Sequence, residues 1–181
     1  LKVNLSTPDF YKYYKFLISD LISNQSTTSQ NSINNFFEIV LKNENNKFIS
    51  PEIFLKAINV TSLPADFWNS NFNDVFSIFV YKDKNGIWPG YIFELKNNIA
   101  PAILQIDLKK IEADVSSLQN FFINTVDFSG NSFKTDQVFN KEPIKVLKSN
   151  SGDVFIYGLF FDKYLIFSTS RTGLEEALKK M

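Results

Sequence analysis

Residues 143–181, PIKVLKSNSGDVFIYGLFFDKYLIFSTSRTGLEEALKKM, constrain the fold more tightly than any other stretch of the chain. Ile144, Val146 and Leu147 lead into Ser149-Asn150-Ser151-Gly152, a loop with Gly where a positive φ is needed. Val154 to Phe161 is rich in β-branched and aromatic residues, which favour a strand. Asp162-Lys163 is short enough for a two-residue hairpin turn, although it lacks the Gly that such turns prefer. Tyr164-Leu165-Ile166-Phe167 is a nearly continuous apolar run, the pattern of a strand buried on both faces. Thr172 followed by Glu175 forms a capping box that starts a helix near Gly173. Leu174, Ala177, Leu178 and Met181 then make an apolar stripe that would lie on the sheet.

Upstream, the first part of the chain reads as helical. Ser6-Thr7-Pro8-Asp9 starts a helix with a hydroxyl cap, a proline and an acid. Its buried stripe is Phe10, Tyr13, Tyr14, Leu17, Ile18 and Leu21, and it ends near Ser23. A polar loop over Asn24–Asn31 follows, then a second helical spacing at Ile33, Phe36, Phe37, Val40 and Leu41, ended by Asn43 to Lys47. Ser50-Pro51-Glu52 starts a third helix with the stripe Ile53, Phe54, Ala57 and Ile58, and Leu63 to Trp68 adds a further turn.

The pattern then changes period. Val75–Tyr81 is a strand, Asn85-Gly86 a hairpin turn and Ile87–Leu95 its partner, with Pro89-Gly90 pointing to an edge strand or a bulge. Asn97 or Asn98 would cap an amphipathic segment with Leu104, Leu108, Ile111, Val115, Leu118 and Phe122 on one face. It fits one helix, or two with a break over Glu112–Asp114. Asp127–Asn131 is a turn and Phe133–Phe139 a strand. The sum is an α+β fold in which N-terminal helices pack on an antiparallel sheet of about five to six strands, in the order ββ-α-ββββ-α. It forms a single domain over 1–181, with a helical subregion at about 6–70 and the sheet at about 74–181.

Composition removes several kinds of chemistry. With no His and no Cys, Ser-His-Asp and Cys-His nucleophilic sites and Cys/His zinc sites cannot be assembled within this chain. The six glycines form neither a dinucleotide fingerprint nor a P-loop, and no Ser-x-x-Lys motif occurs. Formal net charge is zero, the charges are interspersed and a single Arg accompanies many Lys, so nucleic acid is not an expected partner. The 20 Phe make a core built around phenylalanine the expectation. Enrichment in Lys, Asn, Phe and Ile reads as AT-rich codon usage. No cofactor and no metal is read from the sequence.

What survives is carboxylate chemistry and aromatic recognition. Glu112 and Asp114, with Asp107 nearby, are the nearest thing to a pair of acids, but residues two apart do not share a helix face. Asn69–Asp74 and Asp127–Asn131 carry alternating oxygen donors, and Asx-rich turns account for both. The sequons at Asn4, Asn24 and Asn59 are what this much Asn, Ser and Thr gives by chance. The candidate ligand or partner surface is Trp88 with Tyr91, around Pro89-Gly90. Strand alternation puts the two rings on opposite faces unless Pro89-Gly90 is a bulge.

Two patterns carry a family resemblance. One runs from Val146-Leu147-Lys148 through Gly152 and from Tyr157 through Asp162-Lys163-Tyr164-Leu165-Ile166-Phe167 to Ser168-Thr169-Ser170. The other, Ile49 to Lys84, is a helix, a Leu-Pro turn and a strand into a Lys-Asp-Lys-Asn-Gly hairpin. Together they resemble an uncharacterised family of bacterial domains in which a membrane helix precedes an extracytoplasmic α+β module. The resemblance covers roughly Ser32–Met181 and its motifs are structural, so no catalytic residue carries over. It implies a domain outside the cytoplasmic membrane, anchored by a segment upstream of Leu1, in a chain that would then be a fragment or a processed form. No signal peptide or membrane-spanning run is present in the sequence itself, for which about 20 apolar residues are needed. The leading expectation is therefore a non-enzymatic interaction or envelope-organising module whose partner is another envelope protein or a surface ligand. The alternatives are a peptide- or saccharide-binding domain with an aromatic-lined groove, and a carboxylate-dependent hydrolase. A cytoplasmic location is the alternative placement.

Overall fold

The computed structural model describes residues 1–25, 35–138 and 141–181. The expectations for the Asn24–Asn31 loop, for Ile33 and for Phe139 lie partly or wholly outside them. Among the described residues one antiparallel sheet has seven strands: β1 Phe36–Ile39, β2 Phe72–Asp83, β3 Gly86–Leu95, β4 Lys134–Val138, β5 Glu142–Lys148, β6 Val154–Phe160 and β7 Tyr164–Ser168. Their order is β1-β2-β3-β7-β6-β5-β4. Two meanders thus meet where β3 pairs with β7. The helices are α1 Phe10–Gln25, α2 Pro51–Ala57, α3 Ala65–Asn71, α4 Pro101–Ala113 and α5 Arg171–Lys180. A 3₁₀ helix, Ser116–Phe121, follows α4, and together they carry the chain from one meander to the other.

Side chains alternate between two cores, as the pleat requires. Phe76, Ile78 and Val80 of β2, Tyr91 and Phe93 of β3, Phe155 and Tyr157 of β6, and Leu165 and Phe167 of β7 belong to the larger core, with residues of α1 to α4 and the 3₁₀ helix. Phe79, Ile156, Phe160 and Ile166 belong to the smaller one, with Leu174, Ala177 and Leu178 of α5. Because apolar groups are needed on both sides, β7 is apolar from Tyr164 to Phe167, as its sequence suggests. Rings interlock in the larger core: Trp68 with Phe93 at 4.9 Å, Phe93 with Phe167 at 5.4 Å and Phe121 with Phe155 at 5.3 Å between centroids. In its centre Tyr14 Oη lies 3.2 Å from Tyr91 Oη, and Tyr91 donates to the Phe121 carbonyl at 3.2 Å. In the smaller core the Phe79 ring stacks on Phe36 at 5.4 Å and lies across Gly90 of β3.

Several sequence expectations are corrected. The sheet has seven strands rather than five or six, and a strand, β1, stands ahead of the expected ββ-α-ββββ-α order. Phe36 to Ile39 form that strand and not a helix: Phe36 pairs with Tyr81 and Ile39 with Ile78, and the neighbouring pairs Phe36-Phe37 and Val40-Leu41 satisfy either period. Pro89 lies in a central strand without a bulge, between β2 and β7. Its carbonyl accepts from Thr169 N and Oγ1, just past the end of β7. A residue's N–H and C=O point to the same side of a strand, so the missing donor of Pro89 faces a place where the β7 ladder has already ended.

Helix starts and stripes also shift. The helix expected from Asn97 or Asn98 starts at Pro101, whereas the amphipathic segment takes the second of its two expected forms, breaking at Asp114 before the 3₁₀ helix. Ser170, not Thr172, caps α5, its Oγ accepting from Gly173 N at 3.2 Å. Ile53 and Met181 are exposed, so α2 buries Phe54 and Leu55, and α5 ends its stripe at Leu178. The β6–β7 turn centres on Phe161 and Asp162, at φ 55° and 52°, one residue earlier than expected. Ahead of α1, an isolated parallel bridge joins Lys2 to Lys42.

Candidate functional site

The turn Asp83-Lys84-Asn85-Gly86 between β2 and β3 is organised by one carboxylate. Asp83 Oδ1 accepts from Asn85 N at 2.8 Å, from Gly86 N at 3.0 Å and from Trp88 Nε1 at 3.0 Å. The first two close the turn; the third fixes the indole, which lies back over Gly86, where a Cβ would stand 3.3 Å from Trp88 Cζ2. Burial pushes the Asp83 carboxyl up. The bonds from Trp88 Nε1, Asn85 N and Gly86 N, with the Lys84 charge, outweigh it and hold the group below its usual range.

Two further segments complete a cleft around Trp88. In the β5–β6 loop, Gly152 adopts φ 99°, Ser149 N donates to Asp153 O at 2.7 Å, and Ser151 Oγ donates to Asp153 Oδ2. From the β7–α5 junction come Thr169, bonded to Pro89 O at 2.7 Å, and Ser170 and Arg171 at the start of α5. The resulting cleft is open, with a volume of about 320 Å³, and is lined by Asp83, Trp88, Ser151, Asp153, Thr169 and Arg171 among others. An indole with a fixed orientation, two carboxylates, hydroxyls and a guanidinium suit a polar segment with one flat or apolar group.

The structure separates the two residues read as a candidate surface. Trp88 is partly exposed at the cleft, whereas Tyr91 is on the opposite face with 0% exposure, in contact with Phe54 and Phe121. Those rings fill the space around Tyr91, so it lines no aromatic groove. Of the cleft residues, Trp88 alone was legible as a candidate. Asp83 had a signal, since an Asp opening Asp-Lys-Asn-Gly is a turn cap. Asp153, Thr169 and Arg171 had none, being brought to Trp88 by the β3–β7 pairing.

The acids considered for catalysis each engage a different partner. Glu112 Oε1 accepts from Tyr157 Oη at 2.6 Å and has Lys145 Nζ at 3.9 Å. Asp107 pairs with Lys110 at 2.6 Å, and Asp114 accepts from Ser116 at 2.7 Å. Burial, then the bond and charge of Glu112, push the Tyr157 phenol well up, so it stays protonated. A second cleft of about 280 Å³ lies beside this group, between α4 and β4–β6. Asn69–Asp74 straddles the end of α3 and the start of β2, so it is not a loop. Asp127 closes an Asx turn on Ser129 at 2.8 Å and accepts from Asn150. Among the described residues no group of three or more acids could hold a metal ion. No helix among them is long and apolar enough to cross a membrane.

No protein-family model matches the chain, and no characterised protein or solved structure is significantly similar to it.

Proposed function

We propose that this domain is a non-enzymatic interaction module, carried outside the cytoplasmic membrane by a membrane-anchored bacterial protein, which recognises a polar segment of an envelope partner through the Trp88 cleft. The observation that carries the reading is the Asp83–Trp88 bond at 3.0 Å. It holds a partly exposed indole in one orientation at the meeting point of three loops. A side chain fixed in advance loses little rotamer freedom on binding, and aromatic anchors of this kind dominate interface energies.

A second reading, a small peptide or saccharide ligand, rests on the same cleft. Its volume of about 320 Å³ is at the lower end for ligand pockets, enough for one sugar ring or one side chain. The carboxylate hydrolase has less support, because Glu112, Asp107 and Asp114 each have a separate partner.

The absence of cysteine gives a direct test. A single cysteine replacing Ser151 in the anchored protein is expected to react with a membrane-impermeant maleimide in intact cells. Pre-incubation with solubilised envelope protein is expected to protect it, and the same preparation is not expected to protect it once Trp88→Ala is added. Labelling only after lysis would contradict the placement; equal protection of both forms would contradict the cleft.

A further inference from the structure

The last strand of the sheet, β4, presents an edge that is closed by one residue. Gln137 pairs with Pro143 of β5, and its main-chain groups point away from the sheet, since they bond to side chains outside the β4–β5 ladder. Both are satisfied by side chains. Gln137 N donates to Asp136 Oδ1 at 2.8 Å, and Gln137 O accepts from Arg171 Nη2. Arg171 Nη1 also donates to Asp136 Oδ2 at 2.6 Å, and its Nε lies 3.6 Å from Glu175. The one arginine of the chain therefore reaches from the start of α5 across the end of β4 and clamps it. Lys134 to Gln137 are otherwise exposed. Thr135 shares the parity of Gln137, so its N–H and C=O also face outward.

We propose that β4 is a strand-pairing edge for a second copy of this chain, held closed by Arg171. Charge decides the occupant. In a two-fold antiparallel register centred on Thr135, Lys134 of each copy stands opposite Asp136 of the other, in the closely spaced pair where opposite charges contribute most. Thr135 exchanges hydrogen bonds with itself, and Gln137 exchanges them with Phe133. The clamp opposes this register twice. It occupies the Gln137 carbonyl and it neutralises Asp136, the group that would attract Lys134. Sheet edges are commonly blunted by charged side chains, and here a guanidinium does so with a bidentate grip that lysine cannot reproduce. Arg171 also lines the Trp88 cleft, but the β4 edge does not depend on what that cleft binds, and Gln137→Pro, which lies outside the cleft, separates the two roles.

The test is sedimentation equilibrium over a concentration series. The wild-type protein is expected to stay monomeric, and Arg171→Ala to reach twice that mass as concentration rises. Adding Gln137→Pro, which puts a ring where the outward N–H was and spares the β4–β5 ladder, is expected to restore the monomer. Arg171→Lys keeps a cation at the start of α5 without the fork, and is expected to dimerise to an intermediate degree; it serves if the alanine variant does not fold. A folded, monomeric Arg171→Ala or Arg171→Lys would overturn the proposal. So would a dimer that survives Gln137→Pro, or a wild-type dimer that Gln137→Pro dissolves.

Discussion

Gly90 offers a perturbation for which backbone and packing arguments predict opposite signs. Its backbone φ lies outside the left-handed region, so alanine there would ordinarily stabilise the protein by about 0.4–1 kcal/mol through the unfolded chain. The structure says otherwise. A Cβ on Gly90 would lie 2.0 Å from Phe79 Cζ and 2.4 and 2.5 Å from its Cε atoms, where optimal carbon contacts are about 3.5–4.0 Å. Phe79 cannot yield easily, being 0% exposed and stacked on Phe36 at 5.4 Å. Overpacking of this kind costs about 1–3 kcal/mol, here toward the upper end, which leaves a net loss of about 2 kcal/mol after the backbone gain. For a chain of this length the melting temperature should fall by about 4–8 °C. Urea and thermal unfolding of Gly90→Ala, Phe79→Leu and the double variant form the assay. Leucine lacks the Cε and Cζ atoms, so Gly90→Ala should cost nearly nothing in the Phe79→Leu background, a coupling of about 2 kcal/mol. Stabilisation by Gly90→Ala, or equal cost in both backgrounds, would refute the packing argument.

The buried tyrosine pair gives an ordered prediction. Tyr91→Phe leaves the Tyr14 hydroxyl and the Phe121 carbonyl without partners and should cost about 1–3 kcal/mol, whereas Tyr14→Phe leaves the bond to Phe121 intact and should cost about 0.5–1.5; equal losses in urea unfolding would contradict the chain of bonds. Burial pushes both phenols above their ordinary value of 10.0. The unfolded chain therefore releases these protons first, and stability should be complete below pH 10 and decline above it, less steeply in Tyr14→Phe. Asp83 acts in the opposite direction: its pKa is held below the ordinary 3.8, so its contribution is complete above that value and is lost as pH falls further. The Trp88 indole N–H resonance should titrate with a midpoint under 3.8, and a midpoint at or above it would remove the Asp83–Trp88 bond from the account.

Local signals were legible in the sequence and non-local ones were not. The Gly152 loop and the apolar run of β7 each follow from a few adjacent residues, and the structure has both; the hairpin signalled by Asn85-Gly86 is present with its turn one residue earlier, at Lys84-Asn85, where Asp83 pairs with Gly86. The Phe36–Ile39 segment misleads because its apolar pairs fit both periods, and the choice is made by Ile78 to Tyr81 of β2, some 40 positions away. Pro89 reads as an edge residue only while the end of β7 is out of view. Two hydroxyls, Ser170 and Thr172, compete to cap α5, and the short loop from β7 favours the first. The cleft is the least legible part. Its walls come from residues 83–88, 151–154 and 169–171, which meet only once β3 lies beside β7.

The central claim, recognition of an envelope partner at the Trp88 cleft, is tested most directly by site-specific photo-crosslinking in intact cells. A photoreactive residue at Asn85, on the cleft, is compared with one at Ile106, exposed on α4. A discrete adduct from Asn85 that is lost with Trp88→Ala, and is not formed from Ile106, is the predicted result. Adducts of equal yield from both positions, or an Asn85 adduct indifferent to Trp88→Ala, would contradict it.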